Sequence, residues 1–123
     1  MKHVLITKDV MMAEEAKSPL AFPPGDEVIV ESDWRVALDM AEGADMMFLD
    51  LLAALREDHK IQGYEEFAEA KREHPLAAEV PLVLIAPPED YILDFMAGWP
   101  NFVFAHLRRP VTAKIFRRAS TWV

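Results

Sequence analysis

Two apolar runs in this 123-residue chain stop on a carboxylate: His3–Asp9, "HVLITKD", and Asp45–Asp50, "DMMFLD". Neither alternates apolar with polar residues, so neither fits a strand with one wet face. A strand buried on both faces belongs to a parallel sheet with helices on each side. In open sheets of that kind, ligands bind beyond the carboxyl ends of the strands. These two strands would deliver Asp9 and Asp50 to that edge. The chain is therefore expected to be α/β, with a small carboxylate pocket where the strands end.

The rest of the sequence supplies the alternation that such a sheet needs. Strands are expected at Val4–Thr7, Glu27–Val30, Met46–Leu49, Val80–Ala86 and Phe102–Leu107. Asp9 is placed to cap a short helix over Val10–Lys17. Pro19, Pro23, Pro24 and Gly25 end it, because proline lacks the amide donor and clashes with the preceding turn. Ser32 or Asp33 caps a second helix, with Trp34, Ala37, Leu38 and Ala41 on one face and Gly43 after its end. Leu51–Leu55 continues apolar before a polar loop, Arg56–Gly63. The next helix carries Tyr64, Phe67, Ala68 and Lys71 on one stripe and stops before Pro75. Pro87 and Pro88 lead a helix with Tyr91, Ile92, Phe95, Met96 and Trp99 on one face. Thr112, Ile115, Phe116 and Ala119 mark a last helix running to the C-terminus. With no repeat, low-complexity tract or linker, residues 1–123 read as one domain.

Composition narrows the function. Hydrophobic residues make up 52 % of the chain, enough for one core and too many for disorder. The lack of cysteine excludes disulfides and thiolate metal sites and fits a reducing cytoplasm. "MKHVLI" is too short for a signal peptide, and no apolar stretch approaches the roughly 18 residues of a membrane span. A cytoplasmic chain that touches no membrane is expected. The net charge of −8 conceals a polarity, because all 21 acids precede residue 95. Residues 95–123 hold Arg108, Arg109, Lys114, Arg117 and Arg118 and no acid. A few cations on an acidic body make a poor nucleic-acid binder, and a solvated helix face explains them.

Other motifs are excluded residue by residue. His3, His59, His74 and His106 lack metal-ligand spacing. His106, at a strand end, is expected to be half-buried and hydrogen-bonded. The pairs Met11–Met12 and Met46–Met47 read as core filling. Four dispersed glycines form no phosphate loop, so nucleotide and flavin readings lack their motif.

The order of these features resembles a response-regulator receiver domain, the flavodoxin-like module of two-component signalling, over nearly the whole chain. The residues that carry the resemblance are Asp9 after the first strand, Asp50 ending the third, "GYEEF" at Gly63–Phe67, and "HLRRP" at His106–Pro110. It implies a doubly wound five-stranded parallel sheet in the order 2-1-3-4-5. It also implies a phosphoacceptor position at Asp50 and Mg²⁺ ligation by Asp9 and Asp50. Dimerisation or output would use the face built from the fourth helix, fifth strand and last helix.

The departures from the family concern its chemistry. Lys8 stands where the family has its other strand-one acid, Ala86 where it has Ser or Thr, and Arg109 where it has Lys. Ala54 replaces a proline, the loop up to Gly63 is longer than usual, and His106 holds the aromatic switch position. Asp9 and Asp50 now face two cations, Lys8 and Arg109, which leaves the pocket neutral before any metal arrives. An ammonium about 4 Å from a carboxylate is attracted by about 4 kcal/mol at an effective dielectric near 20, and the same charge repels Mg²⁺. Octahedral Mg²⁺ also needs oxygen ligands, and one is missing. Asp50 is then either a structural acid paired with Lys8 or Arg109, or a residual phosphoacceptor. Neighbours at a strand end face opposite ways, so Lys8 either joins the pair or turns outward.

The expected function is a non-enzymatic pseudo-receiver acting through protein contacts, with no cofactor beyond weakly held Mg²⁺. A working phosphoacceptor and a small flavodoxin-like ligand-binding protein are the alternatives. Its partner is another signalling protein or itself. Glu89, Asp90 and Asp94 of one copy would face Lys114, Arg117 and Arg118 of another, with Trp99 or Trp122 as apolar anchors.

Overall fold

The computed structural model describes residues 1–55, 62–87 and 102–123. Five parallel strands form one sheet in the order β2-β1-β3-β4-β5. They are β1 (Lys2–Ile6), β2 (Glu27–Glu31), β3 (Met46–Asp50), β4 (Leu82–Ala86) and β5 (Ala105–Arg108). Helix α1 is Val10–Lys17, α2 Trp34–Asp39, α3 Leu51–Ala54, α4 Gln62–Glu73 and α5 Ala113–Ala119. None of the described helices is long and apolar enough to cross a membrane.

Successive side chains of each strand point to opposite faces of the sheet. Val4, Ile6, Met47, Leu49, Leu82 and Leu84 pack with Trp34, Leu38, Tyr64 and Phe67 from α2 and α4. Leu5, Met46, Phe48, Val83 and Ile85 pack with Met12 and Ala16 of α1 and with Phe116 and Ala119 of α5. This is why the central strands are apolar at every position. On the α1–α5 side, the ring of buried His3 stacks on Phe22 at 4.2 Å and donates from Nε2 to Asp26 Oδ2, 2.9 Å away. That bond holds the Asp26 carboxyl below its usual range and ties the loop after α1 to β1.

Several local expectations shift. Thr7 lies just beyond β1, and Pro81 just before β4. The fifth strand begins at Ala105, not Phe102. Leu51–Ala54 is a short helix of its own. Asp33, not Ser32, caps α2, accepting from the Arg35 amide at 2.9 Å, and α2 ends at Asp39, before Gly43. The last helix stops at Ala119 instead of running to the C-terminus, with Thr112 at its N-cap. Met12, Met46 and Met47 are core, but Met11 is 70 % exposed at the free end of α1. The helix expected over Tyr91–Trp99 lies outside the described residues, as does His59.

Candidate acid site at the carboxyl edge of the sheet

β1 and β3 are adjacent, and the register that pairs Ile6 with Leu49 carries Thr7 level with Asp50 at the next step. Both then point to the α1–α5 face. The Thr7 hydroxyl donates to Asp50 Oδ2 at 2.8 Å and accepts from the Asp9 amide at 3.0 Å. The chain turns at this point, and Asp9 becomes the N-cap of α1, its Oδ1 accepting from the amides of Met11 and Met12. Asp50 holds the corresponding position before α3 but does not cap it. Its side chain is turned into the site and is 3 % exposed.

The cation comes from the edge of the sheet, just after β5. The Arg109 amide donates to Ala86 O at 2.9 Å, fixing the backbone just after β5. Its side chain reaches back across β4, a span of about 10 Å at ordinary strand spacing. One nitrogen, Nη2, donates to both acids: Asp9 Oδ2 at 2.5 Å and Asp50 Oδ2 at 3.2 Å. Burial pushes the Asp50 carboxyl above its ordinary pKa. The Thr7 hydroxyl, Arg109 and the Leu52 amide oppose that rise, and the neighbouring charge of Asp9 adds to it.

Lys8 does not join this cluster. One residue beyond Thr7, it faces the other side of the sheet, is exposed, and lines a cleft of about 540 Å³ with Ser32, Arg35, Ala54 and Glu66. Among the described residues the pocket therefore holds two carboxylates and one guanidinium, not two of each sign. Ala86 is 1 % exposed at the end of β4 and offers no hydroxyl. His106 is exposed, contrary to the half-buried position expected. Strand β5 alternates half-buried and exposed residues, and position 106 falls outward.

The donor set does not fit Mg²⁺. Both oxygens of Asp9 are engaged, as is Oδ2 of Asp50, which leaves Asp50 Oδ1 without a well-formed hydrogen bond among the described residues. No three His, Cys, Asp or Glu side chains are gathered for a metal among the described residues. What the arrangement does is neutralise a buried acid with the chain's own cation and lash the ends of β1, β3 and β5 together.

The proposed partner face also changes. Arg117 is not free: its guanidinium donates to the carbonyl of Ala21 through Nε and to Pro19 O and Phe22 O at 3.2 Å through Nη2. It clamps the loop after α1 onto α5. Lys114 and Arg118 remain exposed, whereas Glu89, Asp90, Asp94 and Trp99 lie outside the described residues. Sequence reasoning missed Thr7 and this clamp. Thr7 was legible as the one polar residue closing an apolar run, but the clamp joins residues nearly 100 positions apart and leaves no local pattern.

No protein-family model matches this sequence, and no curated protein matches it. Solved structures do match its fold. The response regulator receiver domain from Rhodospirillum rubrum superposes with a TM-score of 0.62 at 19 % identity, covering 97 % of this chain and 87 % of that one. The bacteriophytochrome response regulator AtBRR gives 0.65 at 19 % identity, with coverages of 98 % and 89 %. The chain has the flavodoxin-like fold of response-regulator receiver domains.

Proposed function

We propose that this chain is a pseudo-receiver: a cytoplasmic, non-enzymatic signalling module that works through protein contacts without efficient Mg²⁺-dependent phosphorylation of Asp50. The observation that carries this reading is the single Arg109 nitrogen donating to both acids. A fixed guanidinium at that point neutralises the charge that would attract a divalent cation and uses the oxygens that would ligate it. Phosphoryl transfer depends mostly on positioning and charge stabilisation, and with the metal ligands engaged and no hydroxyl at Ala86 little of either is left. The test is intact-mass measurement after incubation with millimolar Mg²⁺ and acetyl phosphate, beside tryptophan fluorescence titrated with beryllofluoride. Unmodified protein is expected. Stoichiometric phosphorylation of Asp50 refutes the reading.

One observation favours a working phosphoacceptor, namely that the buried Oδ1 of Asp50 has no well-formed hydrogen bond among the described residues. The same mass measurement decides between the two. The flavodoxin-like ligand-binding alternative predicts a chromophore or bound small molecule in the purified protein, and a colourless preparation argues against flavin. The surface this reading assigns to partners is the exposed basic side of α5, Lys114 and Arg118, facing another signalling protein or a second copy.

A further inference from the structure

Helices α4 and α5 lie on opposite faces of the sheet. On α4, Glu69 and Glu73 are exposed, one helical turn apart, and neither has a hydrogen bond or ion pair among the described residues. On α5, Lys114 and Arg118 repeat that arrangement with the opposite sign, again exposed and without partners among the described residues. Like charges at i and i+4 destabilise the helix that carries them, so each pair is a cost to its own helix that an opposite pair relieves. The spacing is about 5–6 Å in both helices, so two cations can meet two carboxylates without backbone change.

Each pair also has an apolar neighbour. Glu69 and Glu73 rim a groove of about 590 Å³ between α2 and α4, floored by Trp34, Leu38 and Ala70. Trp122, 36 % exposed, follows Arg118 by four residues. We propose that α5 of one copy docks on α4 of the next, with Lys114 and Arg118 against Glu69 and Glu73 and Trp122 at the groove. This self-contact rests on reading the chain as an interaction module. Because its two halves sit on opposite faces of one sheet, it is heterologous and builds head-to-tail chains or rings, not an isologous pair. Surface ion pairs are individually weak and screened by salt, so the association is weak and salt-sensitive.

Sedimentation velocity tests it on the full chain between about 10 μM and about 1 mM, at roughly 0.01 M and 1 M salt, where the screening length falls from about 30 to about 3 Å. The sedimentation coefficient of the wild type is expected to rise with concentration in low salt and to stay monomeric in high salt. Glu69→Gln with Glu73→Gln, and separately Lys114→Gln with Arg118→Gln, should each abolish that growth. An equimolar mixture of the two variants should form a 1:1 complex that grows no further, since one retains the basic helix and the other the acidic pair. A wild type that stays monomeric at the highest concentration in low salt overturns the proposal. So does growth that persists in the Glu69→Gln, Glu73→Gln variant, which would point to an isologous dimer or another surface. Neither result bears on Asp50, whose phosphorylation is read by mass on the same samples and alone decides the pseudo-receiver reading.

Discussion

Replacing Arg109 with methionine keeps most of the side-chain volume and removes the cation that bridges two acids. The oxygens of Asp9 and Asp50 both touch Arg109 Nη2, at 2.5 and 3.2 Å, which puts them on the order of 5 Å apart. At that separation two carboxylates repel by about 3 kcal/mol at an effective dielectric near 20. The figure agrees with the lower end of the roughly 3–5 kcal/mol lost when one partner of a buried ion pair is removed. The lower end is appropriate because Asp9 is a third exposed, whereas Asp50 is almost wholly buried. For a chain of this size, about 3 kcal/mol lowers Tm by on the order of 10 °C.

The loss should depend on pH with a definite sign. The folded-state pKa of Asp50 is already raised by burial, and removing Arg109 raises it further. A carboxyl whose folded pKa lies above its unfolded value destabilises the fold while ionised, and the penalty shrinks as pH falls toward the unfolded value. Urea denaturation at about pH 7 and about pH 5 should therefore show the larger Arg109→Met deficit at the higher pH. Adding Asp50→Asn should recover most of it at neutral pH, a coupling that a double-mutant cycle reads directly. A deficit below about 0.5 kcal/mol, the range of an ordinary surface substitution, refutes the reasoning. So does a deficit of equal size at both pH values and unrelieved by Asp50→Asn.

Three further outcomes are expected. Arg117→Ala should cost about 2 kcal/mol and speed amide exchange or proteolysis within residues 18–25, since charge-assisted hydrogen bonds to carbonyls are lost, while exposed Arg118→Ala should stay within about 0.5 kcal/mol of wild type. Lys71 is 3 % exposed, donates to Val80 O at 2.7 Å, and has its pKa lowered by burial. Its charged form therefore costs stability at neutral pH, and the wild type should gain on Lys71→Met as pH climbs from that lowered value to about 10.4, the ordinary lysine pKa. No convergence in alkaline urea titrations would contradict this. Lys8→Asp with Ala86→Thr should raise Mg²⁺ affinity in a fluorescence titration, and further when Arg109→Ala frees the acid oxygens; an affinity unchanged by that third substitution would mean that Arg109 does not block the metal.

Much of this architecture was written in local patterns. Continuous apolar runs separated by prolines and caps specify buried parallel strands and their helices, because burial on both faces leaves no polar position to alternate. Lys71 on the apolar stripe of α4 is buried, as the periodicity said, even though its charge argued otherwise. Element ends were less legible. Whether Ser32 or Asp33 caps α2, or whether the last helix passes Ala119, depends on hydrogen bonds that several residues could make equally well by type.

The acid site divides along the same line. The sequence alone placed Asp9 just after the first strand and Asp50 at the end of the third, and the resemblance marked Lys8 and Ala86 as departures from the receiver pattern. It did not determine which cation meets them. Lys8 and Arg109 are equivalent as charges in a string of letters, and the nearer in sequence, Lys8, belongs to the other side of the sheet. Its direction is set by the two-residue period of β1, which sends Thr7 toward Asp50 and Lys8 away. Arg109, a hundred residues from Asp9, arrives because the strand order carries β5 two places beyond β3 and a guanidinium is long enough to reach back. The tertiary structure made that choice, because a long-range ion pair requires strand order and side-chain direction to be fixed together, and no local stretch of sequence holds both.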